Sequence, residues 1–230
     1  MLHVITPTMP TVDGMLEIDQ LNKRASALQF SNPAEARALA EQALAMLQFS
    51  EAPSSTYEAS LGENLTILGR CCIELADYAA AINYGLQAVA LGEGLPTAAF
   101  LPQILGLIGS AYTHMGQYVD GLRYFIRQQQ ISKEQRNRKQ EASAYMGRGL
   151  VYSFSGNQEK AIEALYTSLK IFQEIGDQFG QATALTNLSN AYEMVGDYET
   201  SLHYGFQALT TSKAIGLRGV ILHLIYSNIG

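Results

Sequence analysis

Seven of the fifteen basic residues, Arg123, Arg127, Lys133, Arg136, Arg138, Lys139 and Arg148, fall between positions 123 and 148 of the 230-residue chain. Such a cluster can dock an acidic partner or a neighbouring domain, or it can be a solvated edge. Other candidates for chemistry are sparser. His3, His114, His203 and His223 show no i, i+4 pairing and no local carboxylate arrangement of the kind that holds zinc or serves a general base. Cys71 and Cys72 are adjacent, and neighbouring residues on a helix point in different directions, so neither a structural disulfide nor a metal pair is expected. Gly147-Arg148-Gly149 with Gly156 has the glycines of a phosphate loop but not its lysine and hydroxyl, and no strand precedes it. No Gly-x-Ser-x-Gly elbow is present. No catalytic set, metal site or cofactor site emerges, and the chain is read as non-enzymatic.

With 47% hydrophobic and 16% charged residues, six prolines and no tryptophan, the chain can bury a sizeable core. No apolar run approaches the eighteen or so residues needed to span a bilayer, and Met1-Leu2-His3-Val4-Ile5-Thr6-Pro7 lacks the basic and apolar regions of a secretory signal. A cytoplasmic location is expected. Lys and Arg number 15 against 21 Asp and Glu, a net charge of −6 that disfavours a broad grip on nucleic acid or an anionic membrane.

The elements that must position any site repeat every 40 residues. Gly69, Gly109, Gly149 and Ser189 share a column, followed in phase by Cys72, Tyr112, Tyr152 and Tyr192, then Ala76, Gly116, Gly156 and Gly196. Asp77, Gln117, Asn157 and Asp197 come next, followed by Ala81, Gly121, Ala161 and Ser201, and then Ile82, Leu122, Ile162 and Leu202. Each unit reads as a helix, a tight turn and a second helix. Small residues let two backbones approach, tyrosines fill the space between turns, and the Ile/Leu column faces the core. Gly116, Gly156 and Gly196 are expected to end first helices in the left-handed conformation, with Asp77, Asn157 and Asp197 capping second helices; Gly92, Gly176 and Gly216 are expected to close the latter. Arg148 stands in the apolar column of Leu68, Ile108 and Leu188, so it must snorkel, pair or meet a ligand. Arg123 and Arg127 are placed on the outer face of a second helix, and Lys133, Arg136, Arg138 and Lys139 in the connecting loop. A more divergent unit precedes these, with apolar helical spacing over 15–30 and Ser31-Asn32-Pro33 as a helix start.

The pattern Leu68-Gly69…Cys72…Ala76-Asp77-Tyr78…Ala81 and Leu188-Ser189…Tyr192…Gly196-Asp197-Tyr198…Ser201 resembles the tetratricopeptide repeat (TPR). The usual period is about 34 residues, and the extra residues are assigned to the second helix and the inter-repeat loop. Longer units of this kind are similar to the TPR arrays of bacterial signalling proteins and kinesin light chains. The resemblance implies an all-α fold, an α-solenoid coiled as a right-handed superhelix, with a flexible tail over 1–14 and an array over 15–230. That array holds about five helix pairs and the first helix of a sixth. The apolar last stretch, with Val220, Ile221, Leu224 and Ile225, leads to the expectation that the chain is an N-terminal piece of a longer protein and self-associates through that helix.

By the same resemblance, first helices line a concave groove. Its expected contacts are Thr66, Arg70, Ser110, His114, Thr186, Asn187, Asn190 and Asn228, since asparagines can bond both the N–H and C=O of an extended peptide. The groove lysines that clamp acidic peptide C-termini in some TPR proteins are absent. Two functional readings follow, both with a protein or peptide partner. In the first, the chain is an interaction or sensory module preceding an output domain; Leu21-Asn22-Lys23-Arg24-Ala25 and Ser31-Asn32-Pro33-Ala34-Glu35-Ala36-Arg37-Ala38-Leu39-Ala40 resemble the start of arrays found ahead of nucleotide-cyclase, diguanylate-cyclase or histidine-kinase domains. In the second, it is a stand-alone adaptor or a peptide-pheromone-type receptor.

Overall fold

A computed structural model of the chain describes residues 12–48, 55–95 and 98–216, and the secondary structure among them is helical. The helices are α1 (Val12–Leu28), α2 (Pro33–Gln48), α3 (Ser55–Glu74), α4 (Tyr78–Glu93), α5 (Leu101–His114), α6 (Tyr118–Glu134), α7 (Arg138–Phe154), α8 (Gln158–Glu174), α9 (Gln178–Val195) and α10 (Tyr198–Ala214). They form two compact units divided between Met115 and Gly116.

One corner design recurs through both units. At the end of α3, the backbone N–H of Asp77 bonds to the Cys72 carbonyl (2.8 Å) and that of Ala76 to the Ile73 carbonyl (2.9 Å). The Asp77 side chain then accepts the Ala80 N–H at the start of α4 (3.2 Å). A single residue therefore closes one helix and opens the next, satisfying backbone groups at both ends. Asn137, Asn157, Asp177 and Asp197 repeat the arrangement. The residue before each corner takes a left-handed backbone: Gly156 has φ +83° and Gly196 φ +85°, but Ala76 (φ +57°) and Arg136 (φ +54°) take it as well. In α2, Pro33 holds the first helical position and Asn32 caps Glu35, as the spacing predicts.

Three expectations change. The 40-residue period is filled by helices, not loops: α6, α7 and α8 each run 17 residues and are joined by corners of three residues. Gly92 does not close α4. It lies inside that helix, where a Cβ would sit 3.2 Å from Leu101 and Phe100, and close packing selects the glycine. α1 begins at Val12, within the stretch 1–14 read as a tail, and residues 1–11 lie outside the described residues. The connection at 51–54 and the stretch 217–230, including Val220, Ile221, Leu224 and Ile225, lie outside the described residues.

Within the first unit, each helix from α1 to α5 packs on the next, and α3 also touches α1 and α5. Ile18, Leu21, Ala43 and Leu47 make one core cluster, and Ala25, Ala36, Ala40, Leu68 and Cys71 another. In the second unit, α6 to α10 pack in the same sequential manner, and α7 also touches α9. Its core gathers Leu165, Leu169, Phe172, Leu185 and Leu188. The small columns face each other as the spacing predicts: the Ser189 hydroxyl donates to the Ser201 carbonyl (2.9 Å), and a Cβ on Gly149 would come within 2.6 Å of Leu165. Tyr192 stacks on Tyr204, with ring centroids 5.6 Å apart. The Ile/Leu column is less buried than expected. Ile82, Leu122 and Ile162 are half-buried and Leu202 is exposed.

The corners make a stability prediction. A Cβ at Gly156 would meet no atom within 4 Å, so Gly156→Ala costs only the left-handed backbone, about 1–2 kcal/mol, read as a lower denaturation midpoint with an unchanged m-value. Ala76→Gly relieves the same strain and is expected to be neutral or stabilising; a loss above about 1 kcal/mol would contradict this account.

Candidate functional site

Because α3 touches both α1 and α5, the outer faces of three first helices lie side by side in the first unit. They enclose a cleft of about 480 Å³. Asp19, Asn22, Lys23 and Ser26 come from α1 and Gln29 from the turn after it, Glu63, Thr66 and Ile67 from α3, Gln103 from α5, and Ala99 and Phe100 from the residues just before α5. Apart from Ile67, Ala99 and Phe100 the lining is polar, and it carries charge of both signs.

Two asparagines build the floor. Asn64, fully buried, donates from Nδ2 to Asn22 Oδ1 (2.7 Å) and to the Ala40 carbonyl (2.9 Å), tying α3 to α1 and α2. Asn22 is 6% exposed, and its own Nδ2 has no partner. Neither residue is among the contacts anticipated from the repeat. The signal was present, since Asn64 interrupts a column otherwise filled by Ile104, Ala144 and Ala184. Phe100 forms one wall, seated so closely on Gly62 that a Cβ there would lie 2.2 Å from the ring.

The anticipated contacts divide. Thr66 lines the cleft, although its hydroxyl already donates to the Gly62 carbonyl (2.8 Å). Arg70, one turn further along α3, lies beside it without lining it. Its guanidinium stands 5.7 Å from the Phe30 ring centroid, and its Nε has no partner. Burial lowers its pKa from the ordinary arginine value, against the opposing charge of Glu74. Ser110 is half-buried on α5. His114 sits at the exposed end of α5 and stacks on Tyr78, the ring centroids 5.2 Å apart. In the second unit, Thr186 is buried and donates to the Ala182 carbonyl (2.9 Å). Asn187 and Asn190 are half-buried on the same helix. Asn228 lies outside the described residues.

Residues 100–174 match the family model described as tetratricopeptide repeat. Residues 100–174 carry tetratricopeptide repeats, and the described helices pack pairwise in consecutive repeats as in a TPR solenoid. No curated protein matches the chain significantly in sequence. Among solved structures, the chain is similar to a Rap protein complexed with competence and sporulation factor (TM-score 0.76, 17% identity, covering 91% of this chain and 60% of that one). A second is the Rap conjugation gene regulator of the plasmid pLS20 in complex with a Phr peptide (TM-score 0.76, 15% identity, 94% and 59% covered). A third is aspartyl phosphate phosphatase F from Bacillus subtilis (TM-score 0.64, 15% identity, 90% and 62% covered). At this identity the likeness is one of fold, and the chain spans about 60% of the length of the first of these.

The basic stretch of the chain is not a loop. Lys133 lies in the last turn of α6, Arg138 and Lys139 begin α7, and only Arg136 occupies the corner, because helices take up the period. Carboxylates meet most of these cations. Arg138 pairs with Glu141 (2.6 Å) and Glu174 (2.5 Å), Lys139 with Asp177 (2.8 Å), Lys133 with Glu141 (3.9 Å) and Arg123 with Asp120 (3.4 Å). Arg127 also has an interaction partner. Arg148 neither enters an ion pair nor reaches solvent freely. Its terminal nitrogen donates to Gln129 Oε1 (2.6 Å) and its guanidinium lies 5.3 Å from the Tyr145 ring centroid. Cys71 and Cys72 are buried free thiols, each pushed up to about 11 by desolvation, which makes them poor nucleophiles near neutral pH. Among the described residues, no group of three His, Cys, Asp or Glu is placed to hold a metal, and no helix is long and apolar enough to cross a membrane.

Two outcomes test this geometry. Asn64→Ala strips the partner from the Ala40 carbonyl and from Asn22 Oδ1, and is expected to cost about 1–3 kcal/mol in chemical denaturation. Asp177 gives a pH signature. Burial alone would raise its pKa, but the Gly180 N–H, the hydrogen bond and charge of Lys139 and the Phe179 N–H outweigh this and hold it below the ordinary value. Stability tied to its ionisation is therefore present above the unfolded value of about 3.9 and lost as pH falls through the folded one. Asp177→Asn keeps a capping side chain but no charge. Its deficit against wild type should be full above about pH 5 and should vanish in acid; a deficit constant with pH would contradict the assignment.

Proposed function

We propose that this chain is a non-enzymatic peptide-binding module that receives an extended peptide on its first-helix face, with the cleft between α1, α3 and α5 as the principal seat. The observation that carries this reading is the cleft itself: about 480 Å³, floored by a buried asparagine pair and walled by Phe100 and Ile67. An extended peptide presents N–H and C=O groups at regular spacing, and the side-chain amides of Asn22, Gln29 and Gln103 can answer both. Phe100 and Ile67 offer an apolar surface for one side chain, while Asp19, Glu63 and Lys23 select among charged ones. Within the second unit, the half-buried pair Asn187 and Asn190 offers the same chemistry on a first helix.

Fold likeness supports this reading over an array ahead of an output domain. Two of the similar structures hold a competence and sporulation factor and a Phr peptide. A third carries a phosphatase name; for this chain we propose binding without turnover.

A fluorescence-anisotropy screen of labelled five- to ten-residue peptides provides the test. Lys23→Ala combined with Gln103→Ala is expected to weaken the best binder tenfold or more, about 1.4 kcal/mol, and Asn187→Ala with Asn190→Ala is the parallel test in the second unit. Unchanged affinity in the first double variant would remove the cleft from the proposal. Phosphate release from an aspartyl-phosphate protein by the purified chain would overturn the non-enzymatic assignment.

A further inference from the structure

On α7, Tyr145, Arg148 and Tyr152 recur at i, i+3 and i+7, while the first-helix face carries Met146, Leu150 and Phe154. At about 100° per residue the two sets lie roughly half a turn apart. The tyrosine and arginine side closes with α8 around a second cleft, of about 200 Å³, also lined by Lys160, Glu163 and Thr167. Arg148 donates one terminal N–H to Gln129 on α6 and rests on the Tyr145 ring, which fixes the plane of its guanidinium. Lys160 lies 5.9 Å from the Tyr152 ring centroid. Neither cation pairs with a carboxylate, unlike Arg138 and Lys139 a few residues away, and the buried Nε of Arg148 has no partner.

We infer that this cleft is an anion site for a phosphoryl group, separate from the peptide groove. The repeat asks for an apolar residue at position 148, as Leu68, Ile108 and Leu188 show, so the arginine is not there for packing. Two cations from adjacent helices line the same cleft, one of them a planar fork that suits phosphate oxygens, and Glu163 is the one carboxylate on the lining. A phosphoryl group, with about −1.5 to −2 charges and three acceptor oxygens, can use both cations, whereas a carboxylate brings one charge and two oxygens.

The probe is inorganic phosphate at constant ionic strength, followed on the Arg148 Nε–H resonance by NMR. A saturable shift is expected, weakened fivefold or more by Lys160→Gln and unaffected by Lys23→Ala with Gln103→Ala, which separates this site from the peptide cleft. Arg148→Leu restores the apolar column, should fold, and should lose the phosphate-dependent rise in Tm shown by wild type. No saturable shift at Arg148, an equal shift with acetate, or an undiminished rise in Arg148→Leu would each overturn the proposal.

Discussion

A single side chain that closes one helix and opens the next sets the geometry of this protein. At Asp77, Asn137, Asn157, Asp177 and Asp197 the backbone N–H ends a helix while the side-chain oxygen caps the following one. A corner that short leaves no slack. Helices of nearly equal length must fold back directly on each other, and the face that one first helix presents is repeated by the next. The corner is strong enough to impose a left-handed backbone on Ala76 and Arg136, at a cost of about 1–2 kcal/mol each. The net gain comes from satisfied helix ends and from the burial that the antiparallel pairing allows.

The repetition explains why binding chemistry collects on one face. First helices that touch in sequence, α1 with α3 and α3 with α5, place side chains from three segments around one space. Residues far apart in the chain, such as Asp19 and Gln103, come to line the same cleft. The first-helix face of each unit has its own character. In the first it is polar, whereas in the second Phe154 and Met194 are more than half exposed on first helices. The buried Asn22–Asn64 pair is costly to desolvate unless satisfied, and the cross-helix bonds from Asn64 to Asn22 and Ala40 offset that cost while fixing the spacing of α1, α2 and α3. The cleft floor is thereby held in place before any ligand arrives.

Much of this was legible in the sequence, because a period repeats its own evidence. Gly156 and Gly196 announce left-handed corners, Asp77 and Asn157 announce caps, and the small residues at 149, 161, 189 and 201 announce close helix approach. Legibility ended where a residue served one copy alone. Gly92 looks like a helix terminator by its spacing, yet it is a packing glycine under Leu101 and Phe100. Lys133, Arg138 and Lys139 look like a basic loop because charge dominates composition there, but the corner needs only three residues and the helices take the rest. Beyond the nearby Glu141, two of their carboxylate partners, Glu174 for Arg138 and Asp177 for Lys139, lie a full helix pair away. Local charge counting misses pairings at that distance. The cleft floor escaped for the same reason, since its partners Asn22 and Asn64 are 42 residues apart.

Departures from the period therefore carry more functional information than the period itself. Columns that agree across copies are explained by helix packing, which every copy needs. Asn64 and Arg148 each break an apolar column, and each lies at a cleft or beneath one. Packing alone would replace both with leucine or alanine, as the sister copies do. Their intramolecular partners are incomplete: Asn64 leaves the Nδ2 of its partner Asn22 free, and Arg148 leaves its own Nε. Buried polar groups in a stable core are normally matched within the protein. Departures of this kind at two separate clefts are what the two proposed sites are argued from.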